Sequence, residues 1–473
     1  MDLMKEELTK TNNLQVLYDA LDHEDEEIRE IAARRVGFSR DPTGVSVLIN
    51  HLTEPNQNVR SEIIRALDRL GAPAEIALLS VLNKDPNPAL YASAVEALRH
   101  FGTKVAIEAL CNAVKSDDPR VRRAAIVSLE KIGMVNQEIE NVLIKCLGDS
   151  ESEVVQTSIR AIGTLGCDRA VPCLLEFINN SDEGVRYSSI FALGILRNTH
   201  AVIPLIKLMQ STDDYHFQIQ IVNALAYIKD PLATEPLIEM LVEEVNNPMG
   251  RSRGLYRKSS QIQHCLAAIG EPVVQPLIDL IQRKSAKMLK SDIQEMRSCR
   301  YNPIFSDIRL VFADIRGSAV VAALIDLLEN DNWVSRSWAC TTLGDISHQM
   351  AITPLISIVI KDPSRDVRVE AGRALQNYPA GDVFDSLLRE IKKSEAPDLD
   401  EAKWVIECIV KNSIGKLSER LFCEDTVNRS STESMYRNVI ACSAAISENE
   451  DLDNSFYGRR TGIRRMRRCR FPA

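Results

Sequence analysis

One apolar pattern returns along this chain with a nearly constant step. In "DPRVRRAAIVSLEKIG", "SEVVQTSIRAIGTLG" and "DEGVRYSSIFALGIL" an apolar residue is followed by a small or apolar residue four later. A small residue follows at seven and an apolar one at eight. Counting the first apolar residue as an anchor, the pattern falls at Ile28, Val59, Leu90, Val121, Val154, Val185 and Phe217, with steps of 31, 31, 31, 33, 31 and 32 residues. The frame resumes at Ser335 and Val367, 32 apart, and weaker copies stand at Lys258, Pro303 and Glu401. Apolar residues at the anchor, +4, +7, +8 and +11 share one face of a helix. A second apolar helix follows most of them, as in "AVPCLLEFIN" and "AVIPLIKLMQ", and clusters such as "KSDDP", "NSDEG" and "IKDPS" supply stops and N-caps. Each unit therefore reads as a helical hairpin. A lone hairpin cannot bury its apolar face, so the hairpins must stack into an all-α solenoid with one concave and one convex surface.

Composition agrees: 45% of residues are apolar, 26% charged and only 5% aromatic, which suits Ala- and Leu-rich helices. The one dense basic run is the seven arginines between Arg459 and Arg470; without them the formal charge of −9 becomes −16. An acidic body does not suit nucleic acid, which needs a basic face. Eleven cysteines lie scattered with no Cys-x-x-Cys pair, and "MDLMKEELTK" does not read as a signal peptide. Free thiols in a reducing cytoplasm are expected. No stretch approaches the roughly 18 apolar residues of a membrane span.

Residues 1–14 read as a polar N-terminal cap, 15–415 as the solenoid, and 416–473 as a degenerate segment ending in the Arg-rich tail. The step lengthens to 41 residues between Phe217 and Lys258 and to 45 between Lys258 and Pro303, placing inserted loops at about 244–257 and 284–302. Both are basic: the first carries Arg251, Arg253 and Arg257, the second Arg297 and Arg300. Insertions in a solenoid emerge as loops, often on the binding side, so these arginines are expected to cap the groove and pair with carboxylates. An Arg also follows many anchors (Arg29, Arg60, Arg122, Arg186, Arg336, Arg368), and its regular period points to a structural bond with a neighbouring acidic turn.

If the anchor helix lines the concave side, positions +3, +6 and +10 face the groove. They include Arg160, Phe191, Asn223, Tyr227, His264, Arg309, Trp338 and Asp345, with Tyr187 and Asp307 alongside. Aromatic walls with a few polar groups suit a flat conjugated ligand, whose carboxylates arginines would grip. A protein-binding groove is enriched in the same residues, and both readings stay open. His264 is a candidate general acid/base. Cys265, at +7, belongs to the core, and Cys340, the better placed of the two for a groove thiol, is also read as a packing residue. There is no zinc-ligand spacing, phosphate loop or nucleophile elbow, and His23–Glu24 is the single His-Glu pair.

The helix "D-x-x-V-R-x-x-A-x-x-A-L-G" followed by "A-V-x-P-L-x-x-L", clearest at 182–208, 117–133 and 362–375, resembles the short HEAT-like repeats of the phycobilin lyase E/F family. The likeness covers roughly residues 15–410. It implies a bilin lyase that takes a linear tetrapyrrole, phycoerythrobilin, as substrate and needs no separate cofactor. The bilin would be joined through a thioether to a cysteine of a phycobiliprotein subunit, phycoerythrin. Some members also isomerise the bilin to phycourobilin. That step protonates one carbon and deprotonates another, roles that His264 and Asp345 would fill, while Asp345 or Asp307 would accept pyrrole N–H groups. The alternative is a non-catalytic scaffold that binds a protein partner in the same groove.

Overall fold

The computed structural model describes residues 2–84, 87–246, 258–287 and 303–379, with 381–383, 386 and 389. The chain divides into two compact units, Met1–Pro236 and Leu237–Ala473. In the first, α1 (Asp2–Lys10) and α2 (Leu14–Ala20) lead into the hairpins α3 (Glu26–Ser39)/α4 (Gly44–Asn50), α5 (Gln57–Leu70)/α6 (Ala72–Lys84) and α7 (Pro88–Ala97)/α8 (Lys104–Ala113). The hairpins α9 (Pro119–Ile132)/α10 (Gln137–Cys146), α11 (Ser152–Leu165)/α12 (Val171–Phe177) and α13 (Glu183–Leu196)/α14 (Val202–Ser211) follow. Then come α15 (Tyr215–Ile228) and α16 (Thr234–Asn246), in which the boundary falls. The second unit continues with α17 (Lys258–Ile269)/α18 (Val274–Ala286), α19 (Pro303–Ile315)/α20 (Ser318–Leu327), α21 (Trp333–Ile346)/α22 (Ile352–Lys361) and α23 (Arg365–Leu375). The described residues contain no strand, and the all-α hairpin solenoid is the observed fold.

The expected caps are in place. Asp25, Asn56, Asp118, Asp182, Asp214 and Asn332 each accept a backbone N–H of the anchor helix they precede. α1 is more than a polar cap: Leu8 is buried, and the Lys5 ammonium lies 3.2 Å from the Asp25 carboxylate. Buried positions repeat at the anchor, +4, +5, +7 and +8; position +5 (Ile64, Val95, Ile126, Ile159, Ile190, Val222) is core rather than surface, while +11 is mostly half-buried. A helix of 3.6 residues per turn puts +5 beside +8 and +1, so a stripe wedged between two neighbouring helices is wider than one facing a single partner.

Four of the anchor helices, α3, α11, α13 and α21, approach the next through a glycine at +9 set against an alanine at its +7. A Cβ added at Gly37 would lie 2.6 Å from Ala66 Cα, at Gly194 2.9 Å from Ala224 Cα, and at Gly344 2.8 Å from Ala374 Cα. The recurring arginine clamps the turn before its own helix. Arg186 Nη1 donates to the Asn180 and Ser181 carbonyls at 2.8 and 3.1 Å. Arg122 and Arg336 do the same and also reach the next hairpin's turn, each gripping a carboxylate with two nitrogens, Asp149 at 2.8 and 2.7 Å and Asp362 at 2.7 and 3.0 Å. In α15 Gln218 substitutes, donating to the Met209 and Thr212 carbonyls.

Helices α16 and α18 run into the intervals expected to be loops, to Asn246 and Ala286. The rest of both insertions, with Arg251, Arg253, Arg257, Arg297 and Arg300, and the segment 416–473 lie outside the described residues.

Candidate binding face on the anchor helices

Within the first unit, the +6 and +10 positions of α11, α13 and α15 carry most of the expected groove residues. Phe191 and Tyr227 are 47% and 44% exposed, unusually open for aromatic rings on a folded helix. Asn223, half-buried, stands at the same register as Phe191 on the next helix. Arg160 is already held: its Nε and Nη2 lie 3.4 and 3.3 Å from Glu130 Oε2, and Glu130 Oε1 accepts the Thr164 hydroxyl at 3.1 Å. Tyr187 is a supporting residue, its ring meeting Phe217 edge-on at 5.5 Å. Burial, with Asp214 and Glu183 nearby, raises the pKa of its phenol.

Sequence reasoning left α3 and α5 out of the face, yet they hold its most organised cluster. Glu62 is buried at +3, with Arg69 Nη1 at 2.9 Å, Arg65 Nη1 at 3.0 Å and Arg34 Nε at 3.5 Å. Burial opposes ionisation of Glu62, but the Arg69 and Arg65 hydrogen bonds outweigh it and hold the carboxyl below the ordinary carboxylate range. The Arg69 guanidinium stacks 4.5 Å from the ring centroid of Phe38, which is 58% exposed. The signal was readable: Arg34, Arg65 and Arg69 occupy the same +6 and +10 positions as Phe191 and Tyr227.

In the second unit His264 is exposed and Cys265 buried, as their register requires. Two expectations need correcting. Trp338 does not face a groove: it is 7% exposed, packs against Phe305 and Phe312 with centroids 6.3 and 5.9 Å away, and donates from Nε1 to the Phe305 carbonyl at 3.1 Å. The anchor of α19 is Ile304 rather than Pro303, since Ile304, Ile308, Val311 and Phe312 are the buried set. That shift of one residue brings Phe305 under the indole and puts Leu310, 51% exposed, at +6. Cys340 falls at the buried +5 position, as the packing reading expected, and loss of solvent drives its pKa far above that of an ordinary thiol.

The residues expected to act as acid and base stand on different anchor helices, His264 on α17 and Asp345 on α21. Asp345 on α21 lies 3.2 Å from Arg309 Nε of α19, and α19 is the anchor helix between α17, which carries His264, and α21. Asp307 is half-buried on the same helix. No cluster of His, Cys, Asp and Glu among the described residues could hold a metal ion, and no single described helix is long and apolar enough to cross a membrane.

A family model described as HEAT repeats matches residues 14–80, 77–155, 139–215, 178–251 and 316–406. The chain belongs to the HEAT-repeat family. No curated protein sequence matches it. Among solved structures, the E. coli protein YibA is 17% identical over 57% of this chain and 96% of its own, with a TM-score of 0.40. Kap95p, solved with RanGDP, is 14% identical over 94% of this chain and 63% of its own, at 0.47. Kap121p bound to Nup53p is 12% identical over 93% and 53%, at 0.49, so the chain spans only about half of that protein's length.

Proposed function

We propose that this protein is a HEAT-repeat scaffold that holds a protein partner against the anchor-helix face of its first unit. The observation that carries this reading is that Phe191 and Tyr227, at +6 and +10 of successive anchor helices, are both exposed on a face whose charged groups Arg160 and Glu130 already satisfy each other. Exposed aromatic residues within a neutralised, hydrogen-bonded surround resemble the centre of a protein interface. The clusters that resemble catalytic machinery point the same way, because Asp345 is occupied by Arg309 and Trp338 belongs to the core. A photo-crosslinking residue at position 191 or 227 should capture one partner in stoichiometric yield, and Phe191→Ala with Tyr227→Ala should abolish that complex. Equal capture from a crosslinker on the opposite face at position 76 would count against the reading.

The bilin lyase remains a second reading. It is supported by the resemblance of the repeats and by the same two rings, which with Asn223 offer a flat conjugated ligand aromatic contact and an amide. Mixing the protein with phycoerythrobilin should then sharpen or red-shift the bilin band, and apo-phycoerythrin should become covalently coloured. No spectral change with any bilin excludes it.

A further inference from the structure

We infer that the first unit has a built-in bending joint between α5 and α7, which sets the distance between the two ends of its anchor-helix face. Elsewhere the anchor row is closed: α3 packs along α5, α11 along α13 and α13 along α15, whereas α5 and α7 make only marginal contact. Two departures from the repeat pattern coincide with the opening but do not cause it by themselves, since α9 packs along α11 with Glu130 at +9 and Val155 at +1. The +9 glycine that seats the next helix at Gly37, Gly163 and Gly194 is Asp68 in α5, opposite Ala97 of α7. A Cβ at the equivalent Gly37 position would fall 2.6 Å from backbone, so α7 cannot close to the same distance on Asp68. The clamp is also missing. Position +1 of α7 is Tyr91, whose single O–H cannot grip two turn carbonyls as Arg60 and Arg122 do.

The consequences are visible around the joint. Leu90 is half-buried, while the anchors Ile28, Val59, Val121, Val154 and Val185 are all buried. Leu79, Val81 and Leu82 of α6 are half-buried and Ile76 is 69% exposed. The side-chain links across the joint are polar: Thr103 to Glu75, and His100 Nδ1 to Asp68 at 3.9 Å. Helix α6 contacts α5, α7 and α8, so it is the pivot. The Phe38–Arg69–Glu62 cluster lies on one side and Phe191 and Tyr227 on the other, so bending at α6 changes the span that a bound molecule must bridge. Such a joint would act in the same way whichever partner or ligand the face takes.

Hydrogen exchange on the full chain tests it. Amides of α7 should exchange at least ~10-fold faster than those of α11 and α13, as sub-global opening at a weak joint requires. Equal protection of the three helices would overturn the joint.

Discussion

Arg336 lies deepest of the clamp arginines, and its bidentate partner Asp362 is also buried. Replacing one member strands the other charge in a low dielectric, so Arg336→Met should cost about 3–5 kcal/mol in urea denaturation. Glu62 offers a pH test. Its pKa is depressed in the folded state, so its stabilisation is fully present above the unfolded value near ~4.3 and is lost as pH falls through the lower folded value. The stability gap between the natural chain and Glu62→Gln should stay constant at neutral pH and shrink below that point. Burial likewise pushes the thiols of Cys111, Cys146 and Cys167 up to about 11, 12 and 11, and those of Cys265 and Cys340 higher still. Mass-mapped alkylation at pH 8 should leave all five unlabelled in the folded protein, with half-buried Cys173 reacting before them. At this scale the sequence was readable where register alone decides: His264 outward and Cys265 inward follow from one step around a helix. It was misleading where a large ring had a choice, because the Trp338 indole at +3 gains more by covering Phe305 and Phe312 than by facing water.

Helices in this chain are separated by glycine where backbones must meet. Gly37→Ala drives a Cβ into Ala66 Cα and should destabilise by about 1–3 kcal/mol, with a lower Tm as the readout. At Gly184 the nearest atoms belong to the flexible Gln156 side chain, so Gly184→Ala should be neutral or stabilising by up to about 1 kcal/mol. The helices themselves were legible because apolar spacing and Asp/Asn caps coincide, as at Asp182 and Val185. The α19 frame was missed by one residue because Pro303 and Ile304 are both apolar and only burial tells them apart. The clamp was legible as structural, but its main target, two carbonyls of its own turn, was not, since backbone acceptors leave no mark on a sequence.

Across the molecule, the repeat makes stability a sum of hairpins and their interfaces. A chain ending after Asn246, the last residue of α16, should keep the helical signal per residue of its hairpins and melt cooperatively; an unfolded product would show that the first unit needs the second. The face of that unit is graded, from the Arg-rich Glu62 cluster to the uncharged Phe191 and Tyr227 end, and it contains two of the expected ligand residues as open aromatics. The expected site as a whole was only partly legible. Its register positions could be counted from the anchors, but which arginines and carboxylates neutralise one another depends on residues about 30 positions apart meeting across a helix pair, as Glu130 and Arg160 do.

The period alone determined the fold, because a 31- or 32-residue hairpin with one apolar stripe has no means of burying it except against another copy of itself. Which side chains remain open on the resulting face was decided only in three dimensions. Exposure depends on how closely the neighbouring helix sits, and that distance is set by pairs such as Gly194 and Ala224, or Gly37 and Ala66, that no single repeat contains.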